Sequence, residues 1–140
     1  MRPNSAVVYV TSDSILCPSD KPDPVLETGI STYAKPFLYW CSGLYTTILL
    51  TDLPAAHAKY LLNRLGLRED QVLIRFYHSS KTDSIRPDKN IYMVDDALIP
   101  SEVSWFLEHG LQDHIIGVDP HTGVSPATRQ TLEERIRHGK

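Results

Sequence analysis

The chain has 140 residues, 41% of them hydrophobic and 22% charged, a balance that excludes disordered and fibrous classes and indicates a soluble globular protein with one core. Its formal net charge of −3 gives no electrostatic footprint for a polyanion, which argues against bulk nucleic-acid binding. The opening "MRPNSAVVYV" lacks the long apolar stretch of a signal peptide, and no apolar run approaches the ~20 residues needed to cross a bilayer, so a cytoplasmic protein without membrane contact is expected.

In chain order, the first expected strand is "AVVYV" at 6–10, followed by a polar turn and "ILCP". The segment up to Tyr45 is rich in proline at its front and aromatic at its back, which predicts a loop and then a short helix near Phe37–Cys41. "YTTILL" at 45–50 is the second strand. Leu53–Leu67 reads as a helix: Asp52 can cap its start, Pro54 suits its first turn, Ala58, Leu61, Leu62 and Leu65 form an apolar stripe, and Gly66 can end it. "QVLIRFY" at 71–77 and "IYMV" at 91–94 are further strands. A helix from Pro100 to His109 stops at Gly110, "HIIGV" at 114–118 is the last strand, and a helix from Ser125-Pro126 carries Leu132 and Ile136 to the end. These short strands are apolar on both faces and alternate with helices. That pattern predicts a three-layer α/β, Rossmann-like fold with a mainly parallel five-stranded sheet.

In such sheets ligands gather beyond the carboxyl ends of the strands. The residues placed there are Thr11-Ser12-Asp13, Thr51-Asp52, His78-Ser79-Ser80-Lys81 and Asp95-Asp96. Carboxylates, hydroxyls and one lysine on a single rim are hard-oxygen chemistry suited to Mg²⁺ and phosphate. The alternative for each acid is a helix cap. Cys17 and Cys41 lack the paired spacing of zinc or redox motifs, and the scattered histidines form no zinc signature, so two reduced thiols are expected. Tyr33, Phe37, Tyr39 and Trp40 lie close together in sequence and are read as core, with an exposed protein interface as the alternative.

The order of these rim residues resembles the haloacid dehalogenase-like (HAD) superfamily of phosphatases and phosphotransferases. "VVYVTSDSIL" falls on its first motif, "TTILLT" on its second, Lys81 on its lysine motif with Lys89 as fallback, and "IYMVDD" on its paired acids. The closest resemblance is to the small HAD domains of "Swiss Army knife" RNA-repair proteins, carried by "LCP" at 16–18, "MVDD" at 93–96 and "VDPHTGVSPA" at 118–127. It spans nearly the whole chain, which would form one HAD-like domain over residues 1–140. The resemblance implies phosphate contacts from Thr51 and Lys81 and a Mg²⁺ held by Asp13, Asp95 and Asp96. The stretch from Leu16 to Tyr45 is too short for a sizeable cap domain, so a cap-less type with an open site is expected.

The first motif departs from the family. There the first Asp of Asp-x-Asp-Gly attacks phosphorus and the second acts as general acid/base. Here Thr11 stands in the nucleophile's place, Asp13 in that of the acid/base, and Ser14 replaces the glycine. A threonine hydroxyl cannot form an aspartyl-phosphate, and its neutrality weakens the metal site. In a second register the strand runs on as "AVVYVTSD" and Asp13 is the nucleophile, but Ile15 then occupies the acid/base position. Three readings follow: a pseudophosphatase that binds a phosphorylated ligand or partner, a slow Mg²⁺-dependent phosphatase using Asp13, and a protein-interaction module. Oligomeric state is not specified by these patterns.

Overall fold

Apolar runs with no polar face must be covered on both sides, and the chain achieves this for the inner strands of a five-stranded, wholly parallel sheet whose spatial order is Leu73–Phe76, Thr46–Thr51, Val7–Thr11, Ile91–Asp95 and Ile115–Gly117, the first of these being largely exposed. The computed structural model describes residues 6–138; the first five positions of the opening segment and the last two of the basic tail lie outside them. The strands are β1 (Val7–Thr11), β4 (Thr46–Thr51), β5 (Leu73–Phe76), β6 (Ile91–Asp95) and β7 (Ile115–Gly117), which correspond to the expected runs. The three-layer, Rossmann-like α/β class expected from the sequence is the class observed.

Alternation along β1 explains the two cores. Val8 and Val10 enter one hydrophobic cluster with Phe37, Leu38, Leu61, Leu62, Leu132 and Ile136, whereas Tyr9 enters the opposite cluster with Met93, Phe106 and Leu111. The first layer is built by α2 (Ala34–Leu44), α3 (Ala55–Arg64) and α5 (Pro126–His138). The second contains α4 (Pro100–Glu108) and the segment around a short 3-10 turn at Lys81–Ser84.

Several local expectations are corrected. The helix expected near Phe37–Cys41 extends over Ala34–Leu44, because Pro36 lies in its first turn, where a missing N–H costs no helical bond. Asp52 does not cap α3: it is exposed, Pro54 occupies the position before the first helical residue, and Thr51 Oγ1 accepts the Leu53 N–H at 3.0 Å instead. Between β1 and α2 the chain forms a one-turn helix, α1 (Ser12–Ile15), and an antiparallel hairpin of β2 (Leu16–Cys17) and β3 (Gly29–Ile30), none of which the patterning marks. The aromatic segment is largely structural. Phe37 is buried, Trp40 packs against Tyr45 and under Arg129, and Tyr39 donates its hydroxyl to the Gly66 carbonyl at 2.7 Å.

Candidate functional site

Register brings the rim together. Val10 pairs with Val94 and Thr11 with Leu50, so one rung further Thr11 stands beside Asp95 and next to Thr51. β1 stops at Thr11, where the Ser14 hydroxyl donates to the Thr11 carbonyl at 2.7 Å and closes the turn of α1. The longer strand "AVVYVTSD" is therefore not formed, and Asp13 lies inside the helical turn with an exposed side chain. The "DPHTGV" segment braces this turn from below. Val124 N–H donates to the Ser14 carbonyl at 2.8 Å, and Gly123, at φ +73°, passes so close that a Cβ would lie 2.8 Å from that carbonyl and from Ser31 Cβ.

Asp95 is the centre of the site. Only 2% exposed, it accepts the Thr11 hydroxyl at 2.6 Å and the Asp96 N–H at 2.9 Å on Oδ1, and the Lys81 ammonium at 2.7 Å on Oδ2. The Thr11 contact lies within the range of charge-assisted O–H···O⁻ bonds. Lys81 is itself 6% exposed, lies 3.8 Å from Asp13 Oδ2, and reaches the Ala97 carbonyl at 3.5 Å. Burial alone would lower its pKa, but the bond to Asp95 and the charges of Asp95, Asp13 and Glu102 outweigh it and hold the ammonium above its ordinary value. Lys89 is exposed on the loop before β6, so Lys81 is the lysine that joins the site.

Glu102, on the first turn of α4, was not marked by the sequence reading. It is 3% exposed; Oε2 accepts the Lys81 backbone N–H at 2.7 Å and Oε1 accepts the Ile99 N–H at 3.0 Å. One buried carboxylate thus ties the start of α4 to the turn that carries Lys81. The glutamate three residues after the helix cap is a signal for this, but no Ser or Thr at Ile99 completes the usual capping pair.

The remaining hydroxyls form a second chain. Thr51, fully buried, donates to Ser12 Oγ at 2.9 Å while accepting the Leu53 N–H. Thus Thr11, Asp13, Thr51, Lys81, Asp95 and Asp96 all gather at the carboxyl end of the sheet, whereas Asp52 is an exposed neighbour. Cys17 is half-buried in the hairpin, and burial pushes the Cys41 thiol up to about 12, so Cys41 is an inert core group.

The donor chemistry fits a hard divalent cation. Oxygens of Asp13, Asp95 and Asp96 lie within 4.8 Å of one another. Burial, opposed by Lys81 and reinforced by Asp95 and Asp52, raises the Asp13 carboxyl. Burial and the adjoining Asp95 carboxylate likewise raise Asp96. In both groups burial is the leading cause, and the neighbouring carboxylates add to it. Asp95, with one oxygen already holding two hydrogen bonds and the other an ammonium, has little coordinating capacity left, so Asp13 and Asp96 are the freer ligands.

No family model matches the chain, and no curated protein matches it by sequence. Among solved structures it is similar to the fission yeast RNA polymerase II CTD phosphatase Fcp1 bound to beryllium fluoride, with 14% identity and a TM-score of 0.53 over 97% of this chain and 50% of that one. The two share a fold, a parallel α/β sheet flanked by helices. This chain spans half the length of that solved chain, and the likeness concerns the arrangement of the sheet and its flanking helices. Among the described residues, no helix is long and apolar enough to cross a membrane.

Proposed function

We propose that the protein is a HAD-like pseudophosphatase: a phosphoryl-binding rim on which the covalent step of the phosphatase reaction is not available. The observation that carries this reading is the state of Thr11. Its side chain occupies the end of β1, at the position the resemblance assigns to the attacking carboxylate, and its proton is committed to Asp95 at 2.6 Å. A neutral threonine hydroxyl cannot form an aspartyl-phosphate, and the carboxylate that accepts its proton is shared with the Lys81 ammonium at 2.7 Å rather than free to act as its base. Asp13, on the exposed side of the turn, lies where the family places its general acid/base and is vestigial without an intermediate to serve.

What remains suits recognition. Lys81 offers a fixed positive charge, Ser12, held by Thr51, offers a hydroxyl, and Asp13 with Asp96, assisted by Asp95, would hold Mg²⁺ weakly. When bound, Mg²⁺ would supply positive charge for phosphoryl oxygens beside the carboxylates. Between β1 and β4 the described chain contributes only the one-turn α1, a small hairpin and α2, which supports a cap-less rim open to the phosphorylated end of a large ligand or partner. Incubation with p-nitrophenyl phosphate and Mg²⁺ tests the reading. The expected result is phosphate release at the rate of the protein-free control; turnover that disappears in Asp95→Asn would overturn it in favour of a slow phosphatase.

A further inference from the structure

A hydroxyl has one proton to give, so each donor on the rim can be followed to its acceptor. Thr11 gives its proton to Asp95, Ser14 to the Thr11 carbonyl, and Thr51 to Ser12. Thr51 also receives the Leu53 N–H, which holds its hydroxyl in that orientation. Ser12 is different. At 2% exposure it accepts from Thr51 and makes no other side-chain hydrogen bond among the described residues, so its own proton is unspent.

Resting on the phosphoryl-binding reading above, we propose that Ser12 is the hydroxyl that donates directly to a bound tetrahedral oxyanion, and that Thr51 is a positioning residue acting through it. Thr51 stands behind Ser12 on the neighbouring strand and fixes the Ser12 oxygen at 2.9 Å, leaving the Ser12 proton directed away from Thr51. Ser12 lies between Thr11 and Asp13 in the chain, so its hydroxyl is carried on the same turn that sets Asp13 3.8 Å from Lys81. A polarised chain of two hydroxyls strengthens the outer donor. Thr51, whose proton points inward, contributes orientation.

A ³¹P NMR titration of inorganic phosphate at fixed Mg²⁺ tests this on the wild type and on Ser12→Ala, Ser12→Cys, Thr51→Val and Thr51→Ser, with thermal melts to verify folding. Loss of a donor to a charged oxyanion is expected to weaken binding about tenfold or more in Ser12→Ala. Ser12→Cys, which keeps most of the side-chain volume but only a weak donor, should lose a similar factor. Thr51→Val should lose less, and Thr51→Ser should restore wild-type affinity. Unchanged binding in Ser12→Ala together with abolished binding in Thr51→Val would overturn the assignment and make Thr51 the direct donor. Absence of phosphate binding by the folded wild type would instead remove the phosphoryl-binding reading, and this inference with it.

Discussion

Lys81 and Asp95 carry opposite charges that water barely reaches, and their 2.7 Å contact is what makes both tolerable in the interior. The pair is as important for the shape of the rim as for any ligand, since the same aspartate orients Thr11. Removing one member leaves an uncompensated buried charge, which typically costs more than deleting the pair as a unit. Lys81→Met is therefore expected to destabilise the protein by about 3–5 kcal/mol in urea unfolding, and adding Asp95→Asn should recover a large part of that loss. Equal loss in single and double variants would show that the ion pair does not control the stability of this corner. At this scale the sequence was informative about residue types and less so about their states. The rim residues stood out because each follows a strand, but the direction of the Thr51 proton and the burial of Glu102 depend on neighbours distant in the chain.

The hairpin and α3 show how elements are joined around the rim. Asp23, in the loop between β2 and β3, accepts the Val25 and Leu26 N–H groups on Oδ1 and the Tyr60 hydroxyl on Oδ2, with Arg64 at 3.3 Å. Burial pushes its carboxyl up, but the Tyr60 bond, the two amides and Arg64 outweigh this and hold it below its ordinary value. A folded-state pKa below the unfolded one stabilises the protein above the unfolded value, and that contribution is lost as pH falls through the folded value. Urea midpoints followed from pH 5 to pH 3 should accordingly fall more steeply for the wild type than for Asp23→Asn. Parallel curves would show that Asp23 does not link the hairpin to α3. The hairpin was not legible in the sequence because its two-residue strands are too short for any alternation to register, whereas α3 had an apolar stripe that the structure buries at Ala58, Leu61 and Leu62, and α3 and α4 are followed by Gly66 and Gly110, both at positive φ; on α4 only Phe106 of the apolar residues is buried, with Val103 and Leu107 exposed.

For the molecule as a whole, the parallel sheet was legible because the three inner strands, β1, β4 and β6, are apolar on both faces and almost fully buried, a pattern that a covered, three-layer arrangement satisfies, whereas the outer strand β5 is largely exposed. The sheet places Thr11, Thr51 and Asp95 on adjoining strands, so one neutral residue at the end of the central strand affects the entire rim. The sequence left open whether that strand ends at Thr11 or Asp13, since both endings suit its apolar run. The Ser14 bond to the Thr11 carbonyl and the brace from Val124 set the end at Thr11. The most direct test of the neutral-nucleophile account is ¹⁹F NMR of the protein with Mg²⁺ and beryllium fluoride, which forms a stable adduct on an attacking carboxylate. The wild type is expected to show no protein-bound fluoride signal and Thr11→Asp to gain one; a wild-type signal that vanishes in Asp13→Asn would contradict the account.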